Sequence, residues 1–387
     1  MNKKIPIIAV VVVVILFAAV LIPYVTKDST DDKKEKEYVD YDSSKGWASW
    51  NPTVSVIDSS KLAGSPYLAI TIKDKVEEFY KVEVSQKYGI EDVPSDFFSY
   101  TSLVSHDASG NLVLKSFARG DSGAYESRDI TFTSVPDYYM TTGSMIVTIY
   151  YVLCEEYGTE FTDYNQEVLE KLWSMIYATD AAGYQRLEGN YGISSALFNG
   201  VKLVSSTATA DNKEQYTSIL DDVKDEGKTI CFLGSGGMTN WSNGHATWIT
   251  EVCQEVGSYA MIFDITRLYN VLAEIEAIAY IMGYGDKAQD IIDSMRVSLY
   301  NTYMCGQEQS EKLPYQYSAV CTYITNDYAF GEESIAQEIF DFMGLKNIKT
   351  GKSENWSQEN VVKAQPEYLL MVGKEPIDWN QLYRVQS

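Results

Sequence analysis

Histidine is almost missing. Only His106 and His245 occur among 387 residues, so a histidine-rich metal centre is excluded, and a serine–histidine–aspartate triad is poorly supplied. Arginine is scarce as well, standing only at positions 119, 128, 186, 267, 296 and 384. The 31 lysines and arginines are outnumbered by 54 acidic residues, for a net charge of −23. Such a surface repels a phosphate backbone, which excludes DNA and RNA as partners. Five cysteines, at 154, 231, 253, 305 and 321, contain no C-x-x-C and no Cys/His ligand spacing. Cys231 and Cys253 fall in a predicted strand and helix and read as core. Cys305 and Cys321 leave a disulfide open, and the odd count leaves at least one thiol over unless two molecules pair.

Catalytic signatures are lacking too. There is no G-x-S-x-G and no H-E-x-x-H. The acidic pairs Glu155-Glu156 and Asp221-Asp222 are adjacent, a spacing that suits solvated helix faces better than general acid–base work. The expectation is a protein that is not an enzyme and holds no catalytic residue, metal or cofactor of its own.

What is present begins at the N-terminus. Lys3 and Lys4 precede residues 5–25, which carry no charge. Twenty-one helical residues span ~31 Å, about the thickness of a hydrocarbon core. No small-residue cleavage site follows, so residues 1–26 read as an uncleaved signal-anchor transmembrane helix. The two lysines keep the N-terminus inside, and residues 27–387 are expected on the extracellular side of the cell membrane. Residues 27–46, KDSTDDKKEKEYVDYDSSKG, read as a charged stalk. Residues 47–133 read as a small α+β or β-rich module: 67–72 strand-like, 74–88 helical, and a hairpin at 103–105 and 112–114 around the turn DASGN.

From residue 135 strands and helices alternate, which implies α/β layers with mainly parallel sheets. Strands are expected at 138–142, 201–205, 229–233 and 259–265. Helices are expected from Gly143-Ser144 to about 157, then at 161–179, 215–224 and 246–256. These make an N-terminal ligand-binding lobe at 134–267. A long connecting helix follows at 268–304, broken at Gly283-Tyr284-Gly285. A C-terminal lobe occupies 305–387, with strands at 317–324 and 368–372 and helices at 335–343 and 360–364.

Ligands of open α/β sheets sit beyond the carboxyl ends of the strands. The stretch GSGGMTNWSNGH, residues 234–245, lies there. It is neither a Walker loop nor a dinucleotide fingerprint. A tight turn using glycine dihedrals explains GSGG as well as a ligand cradle does, but Trp241 and His245 in the same loop tilt it toward ligand contact. The candidate ligand-binding residues are Gly143, Ser144, Thr207, Ser235, Gly236, Asn240, Trp241, His245, Arg267, Tyr323, Asn326, Tyr328 and Trp356. The loop TYITNDYAFG, 322–331, offers aromatic walls for a bulky ligand. Thirty tyrosines suit both packing and ligand clefts. The scarcity of arginine favours a neutral ligand. Asn240 and Asn355 each begin an N-x-S sequon, whose glycans would obstruct these loops.

The order of elements, together with QEIFDFMGLKNI (337–348), WSQE (356–359), AQPEYLLMV (364–372) and AYIMGYGDKA (279–288), resembles the helical-backbone (type III) periplasmic substrate-binding proteins. The resemblance spans roughly residues 135–380. It implies two lobes on a backbone helix and capture of a ferric siderophore, haem or cobalamin for an ABC permease in the same membrane. Segment 155–200 reads as an insertion. Family members continue after 368–372 with another strand and a long helix, so a shortened second lobe is expected. An anchor in place of a free periplasmic form fits a cell without a periplasm, such as an archaeon. The alternative is a surface adhesin, sensor or scaffold that keeps the fold without transport.

Overall fold

A computed structural model describes residues 88–159, 165–183, 200–206, 208, 210–237, 239–311, 316–323, 328–366 and 368–372. The expected membrane helix, the stalk, the strand at 67–72, nearly all of the helix at 74–88, and Thr207 and Asn326 lie outside them. Among the described residues no helix is long and apolar enough to cross a membrane.

The chain forms two compact units. Among the described residues, one runs from Pro94 to Arg296; the other takes Tyr88–Val93 and those from Val297 to Val372. In the first, β1 (Val104–His106), β2 (Leu112–Arg119) and β3 (Tyr125–Phe132) make an antiparallel sheet in that order. Asp107 accepts from the N–H groups of Ser109 and Asn111 and so closes the β1–β2 turn. These strands were expected in a separate module ending at residue 133. They belong instead to the same compact unit as the lobe, because β2 lies against that lobe's edge strand: the Ser116 hydroxyl accepts from Ile262 N at 3.0 Å.

The lobe itself is a five-stranded parallel sheet. Its strands are β4 (Tyr138–Thr141), β5 (Ile176–Asp180), β6 (Lys202–Val204), β7 (Ile230–Ser235) and β8 (Tyr259–Phe263), in the order β6-β5-β4-β7-β8. Every residue of β8 and the first five of β7 are buried, as a sheet covered on both faces requires. On one face Met140, Phe232 and Ile262 pack under α3 (Lys213–Asp225) and α4 (His245–Glu255). On the other lie α1 (Met145–Glu156) and α5 (Leu268–Ile281), and the Tyr139 hydroxyl donates to Ile281 O at 3.3 Å. The expected helix over 161–179 is a correction. Helix α2 (Gln166–Met175) ends where Ile-Tyr-Ala-Thr-Asp becomes β5, a full member of the sheet rather than part of an insertion. The apolar stripe of α2 ran without a break into the strand, which hid the boundary.

Helix α6 (Gly285–Glu311) is longer than expected and contributes its first part to one unit and its second to the other. The second unit has a mixed sheet around β9 (Ser318–Tyr323). Along one edge of β9 runs β13 (Tyr368–Val372), parallel; the other edge is shared by β11 (Lys346–Asn347), parallel, and β10 (Tyr328–Ala329), antiparallel. β12 (Glu354–Asn355) pairs with β10. Helix α7 (Ile335–Phe342) buries Ile339 and Phe340 against Ala319, Cys321 and Leu370 of this sheet. The short α8 (Gln358–Ala364) buries Val361 with Val320 and Ala329.

Candidate functional site

The strand order of the first unit singles out one place. From central β4 the chain winds outward through β5 and β6, then returns to lay β7 and β8 on the other side of β4. The connections after β4 and β7 therefore leave toward opposite faces, and a crevice opens between them at the carboxyl ends of the strands. The two loops are tied side by side: Thr142 N donates to Leu233 O at 3.0 Å.

After β4 the chain turns at Gly143, whose φ of +64° is the left-handed region that glycine tolerates. Its N–H donates to Asp180 Oδ2 at 3.0 Å, while Asp180 Oδ1 accepts from Gly183 N at 2.7 Å. Asp180 is buried, and its neighbour Thr179 bonds Thr141 between the hydroxyls at 2.9 Å. The end of β5 thus fixes the turn that starts α1. Ser144 begins that helix half-buried, and its hydroxyl caps no N–H of it.

Across the crevice stand half-buried Ser235 and exposed Gly237, the Gly237 N–H donating to Ser235 Oγ at 3.4 Å. A methyl group placed on Gly237 would lie 3.6 Å from the Tyr125 hydroxyl and 3.7 Å from Ser235 Oγ, so these groups converge. Tyr125 comes from β3. Burial, and then the charge of Asp264, push its phenol up, with Arg119 opposing them. The Arg119 guanidinium stands 5.6 Å from the Tyr125 ring centre. Asp264, just after β8, is engaged by the N–H and hydroxyl of Thr266 at 3.0 and 2.6 Å.

The remainder of the 234–245 loop is turned to a different use. Gly236 is wedged beneath β2: its N–H donates to Phe263 O, its carbonyl accepts from Arg119 N, and an added Cβ would meet Phe117 O at 2.4 Å. Trp241 is 7% exposed, which leaves no face for a ligand. Its Nε1 donates to Glu126 O, and the Arg128 guanidinium lies 3.9 Å from its ring centre. Asn240 Oδ1 accepts from Ser242 Oγ and Asn243 N, and its carbonyl accepts from Ala246 N. His245 opens α4, its N–H donating to Asn243 Oδ1, with Nδ1 buried and unpartnered. Asn243 takes the first N–H of α4, Asn240 ties the loop before it, and the tryptophan anchors the β2–β3 hairpin.

Arg267 starts α5, where its carbonyl accepts from Asn270 and Val271. In the second unit Tyr323 ends β9, paired with Val372. Tyr328 meets Phe330 edge-on at 5.6 Å, and Trp356 packs on the Val320, Ala329 and Val361 cluster. Cys321, one half of the possible disulfide, is a free buried thiol. Of the expected residues, the crevice brings together Gly143, Ser144 and Ser235. Asp180, Arg119, Tyr125 and Asp264 were not expected. Asp180 was hidden by the missed strand. The turn Arg119-Gly-Asp-Ser-Gly123 was the available sign that a second hairpin stands beside the first.

No family model and no curated protein matches the sequence. Among solved structures the chain is similar to a periplasmic haem-binding protein from Pseudomonas aeruginosa, at 10% identity over 65% of this chain and 76% of that one, TM-score 0.45. It is also similar to Helicobacter pylori CeuE with Ni(II) bound, at 12% identity, 69% and 74%, TM-score 0.43. A periplasmic solute-binding protein from Veillonella parvula matches at 12% identity, 66% and 68%, TM-score 0.42. Likenesses this remote carry no correspondence between residues.

Proposed function

We propose that this chain is a substrate-binding protein that captures a small molecule, a metal chelate of the siderophore, haem or cobalamin class, for an ABC permease. The observation that carries the reading is the reversal of strand order between β4 and β7, with Gly143, Ser144, Ser235 and Gly237 at the strand ends and Tyr125 beside Gly237. Open α/β sheets bind ligands at such a reversal of strand order. The sequence motifs that resemble the type III binding proteins support the same class. The absence of hydrolase and metalloprotease signatures agrees with binding rather than catalysis. In this reading the uncharged residues 5–25 anchor the protein and keep the ligand-binding part outside the cell.

Calorimetric titration of the full chain in detergent with ferric siderophores, haem and cyanocobalamin tests the proposal. One panel member is expected to bind saturably at micromolar or tighter Kd. Gly237→Trp, which fills the crevice from an exposed position with room for a Cβ, is expected to abolish that binding while the fold stays intact. A folded chain that binds nothing in the panel overturns the transport reading. Protease shaving of intact cells tests the topology, and full protection of residues beyond 27 would sink it.

A further inference from the structure

We infer that the crevice selects ligands bearing an anionic oxygen, which docks on the Arg119 guanidinium with the Tyr125 hydroxyl beside it. This rests on the ligand-binding reading above and adds the charge of what is bound. It also reverses the expectation, drawn from the count of arginines alone, that the ligand is neutral.

The first support is the state of Arg119. In a chain of net charge −23, an arginine is readily met by a carboxylate. Arg296 has one, with Asp293 Oδ1 at 3.8 Å, and also donates to the carbonyls of Pro94, Ser95 and Phe97. Arg128 is spent on Trp241. Arg119 makes no ion pair among the described residues and is exposed; its guanidinium stands 5.6 Å from the Tyr125 ring centre and is hydrogen-bonded to that side chain.

The second support is how firmly its backbone is held. Arg119 O accepts from Trp241 N at 2.7 Å and Ser242 N at 3.2 Å, and Arg119 N donates to Gly236 O at 3.4 Å. The end of β2 is thereby bolted to the loop after β7, so the side chain swings from a fixed root at the rim of the crevice. An anchored guanidinium loses less freedom on binding than one on a loose loop.

The third support is the surroundings. Two carboxylates near it already have partners: Thr266 takes Asp264, and the N–H groups of Gly143 and Gly183 take Asp180; that of Glu126 lies over Gly120. Burial and Asp264 keep the Tyr125 phenol protonated, so it donates a hydrogen bond instead of adding negative charge. The phenol and the Ser235 hydroxyl converge beside Gly237, and the guanidinium is bonded to that phenol, a donor set that suits a carboxylate or catecholate oxygen.

The test uses the full chain in detergent with four probes. Haem carries propionate carboxylates and ferric enterobactin carries catecholate oxygens and a net negative charge; ferrichrome and ferric coprogen, neutral trihydroxamate chelates, bear no net charge. Haem or ferric enterobactin is expected to bind, which separates the two sources of anionic oxygen. Arg119→Ala should weaken that binding by ~10-fold or more, Arg119→Lys should recover part of it, and Tyr125→Phe should cost less. Raising the salt should weaken wild-type binding and leave Arg119→Ala nearly unchanged. If anionic probes bind Arg119→Ala as tightly as wild type, or if only the uncharged probes bind, the charge proposal is wrong and the receptor reading stands. If none of the four binds a folded chain, both fall.

Discussion

Two neighbouring glycines divide the labour of the 234–245 loop. Gly236 has Phe117 O and Ala118 Cα where its Cβ would be, at 2.4 and 2.9 Å, and backbone cannot step aside. Gly236→Ala is therefore expected to cost ~1–3 kcal/mol, through the overpacking it forces between β2 and the loop. Gly237→Ala meets only ordinary contacts and should be nearly silent. Urea denaturation of both variants, read side by side, checks the difference; equal costs would refute the wedge. Trp241 belongs to the same joint. Trp241→Ala should destabilise by ~3–5 kcal/mol as a buried indole is lost, and Arg128→Ala by ~0.5–2 kcal/mol as the cation leaves its ring. A loss of ligand binding in Trp241→Ala would thus report a damaged hairpin joint before it reported a missing contact.

At the level of elements, the contact of α1 with α5 contains a buried acid. Glu274 is 2% exposed, accepts one hydrogen bond from the Thr148 hydroxyl at 2.8 Å, and burial pushes its pKa up to about 7. The folded chain thus holds this proton more tightly than the unfolded chain does. The stability it contributes is present below about pH 4.5 and is lost as pH rises toward 7, amounting to about 3 kcal/mol. Glu274→Gln should flatten this part of the profile and make the first unit more stable above pH 7. A melting profile from pH 5 to 8 that is unchanged in the variant would contradict the assignment. The same elements show what sequence can carry. β4, β7 and β8 were legible because each is a short apolar run followed by a turn and a helix with a clear stripe. β5 was not, because Ile176–Asp180 continues the apolar content of α2 without punctuation. β3 was not, because YESRDITF buries only Ile130 and Phe132. The site followed suit. Gly143, Ser144 and Ser235 could be read from their place at strand ends. Arg119 and Tyr125 could not, since only the folded hairpin brings them there.

For the whole molecule, each unit owns a core, so damage should stay local. Phe340 is fully buried in the second unit against Ala319, Ile339 and Leu370. Phe340→Ala should lower that unit's stability by ~3–5 kcal/mol. Hydrogen exchange should then speed up in β9, α7 and β13 and stay unchanged in β4, β7 and β8. Acceleration of the parallel sheet as well would mean that the units unfold as one. The four described thiols set no trap for disulfide exchange. All are buried, and burial pushes Cys154 and Cys321 up to about 12.

The bond between Ser116 and Ile262 joins residues 146 apart in sequence. At roughly 5–20 residues per second, a ribosome completes β2 on the order of 7–30 s before β8 emerges to receive it. The hairpin can fold by itself in microseconds. Its inner face, with Leu114, Ala118 and Ile130, then waits without cover until most of the first unit has been made. The nascent chain therefore needs a guardian over that interval, or must be kept unfolded until β8 has been made.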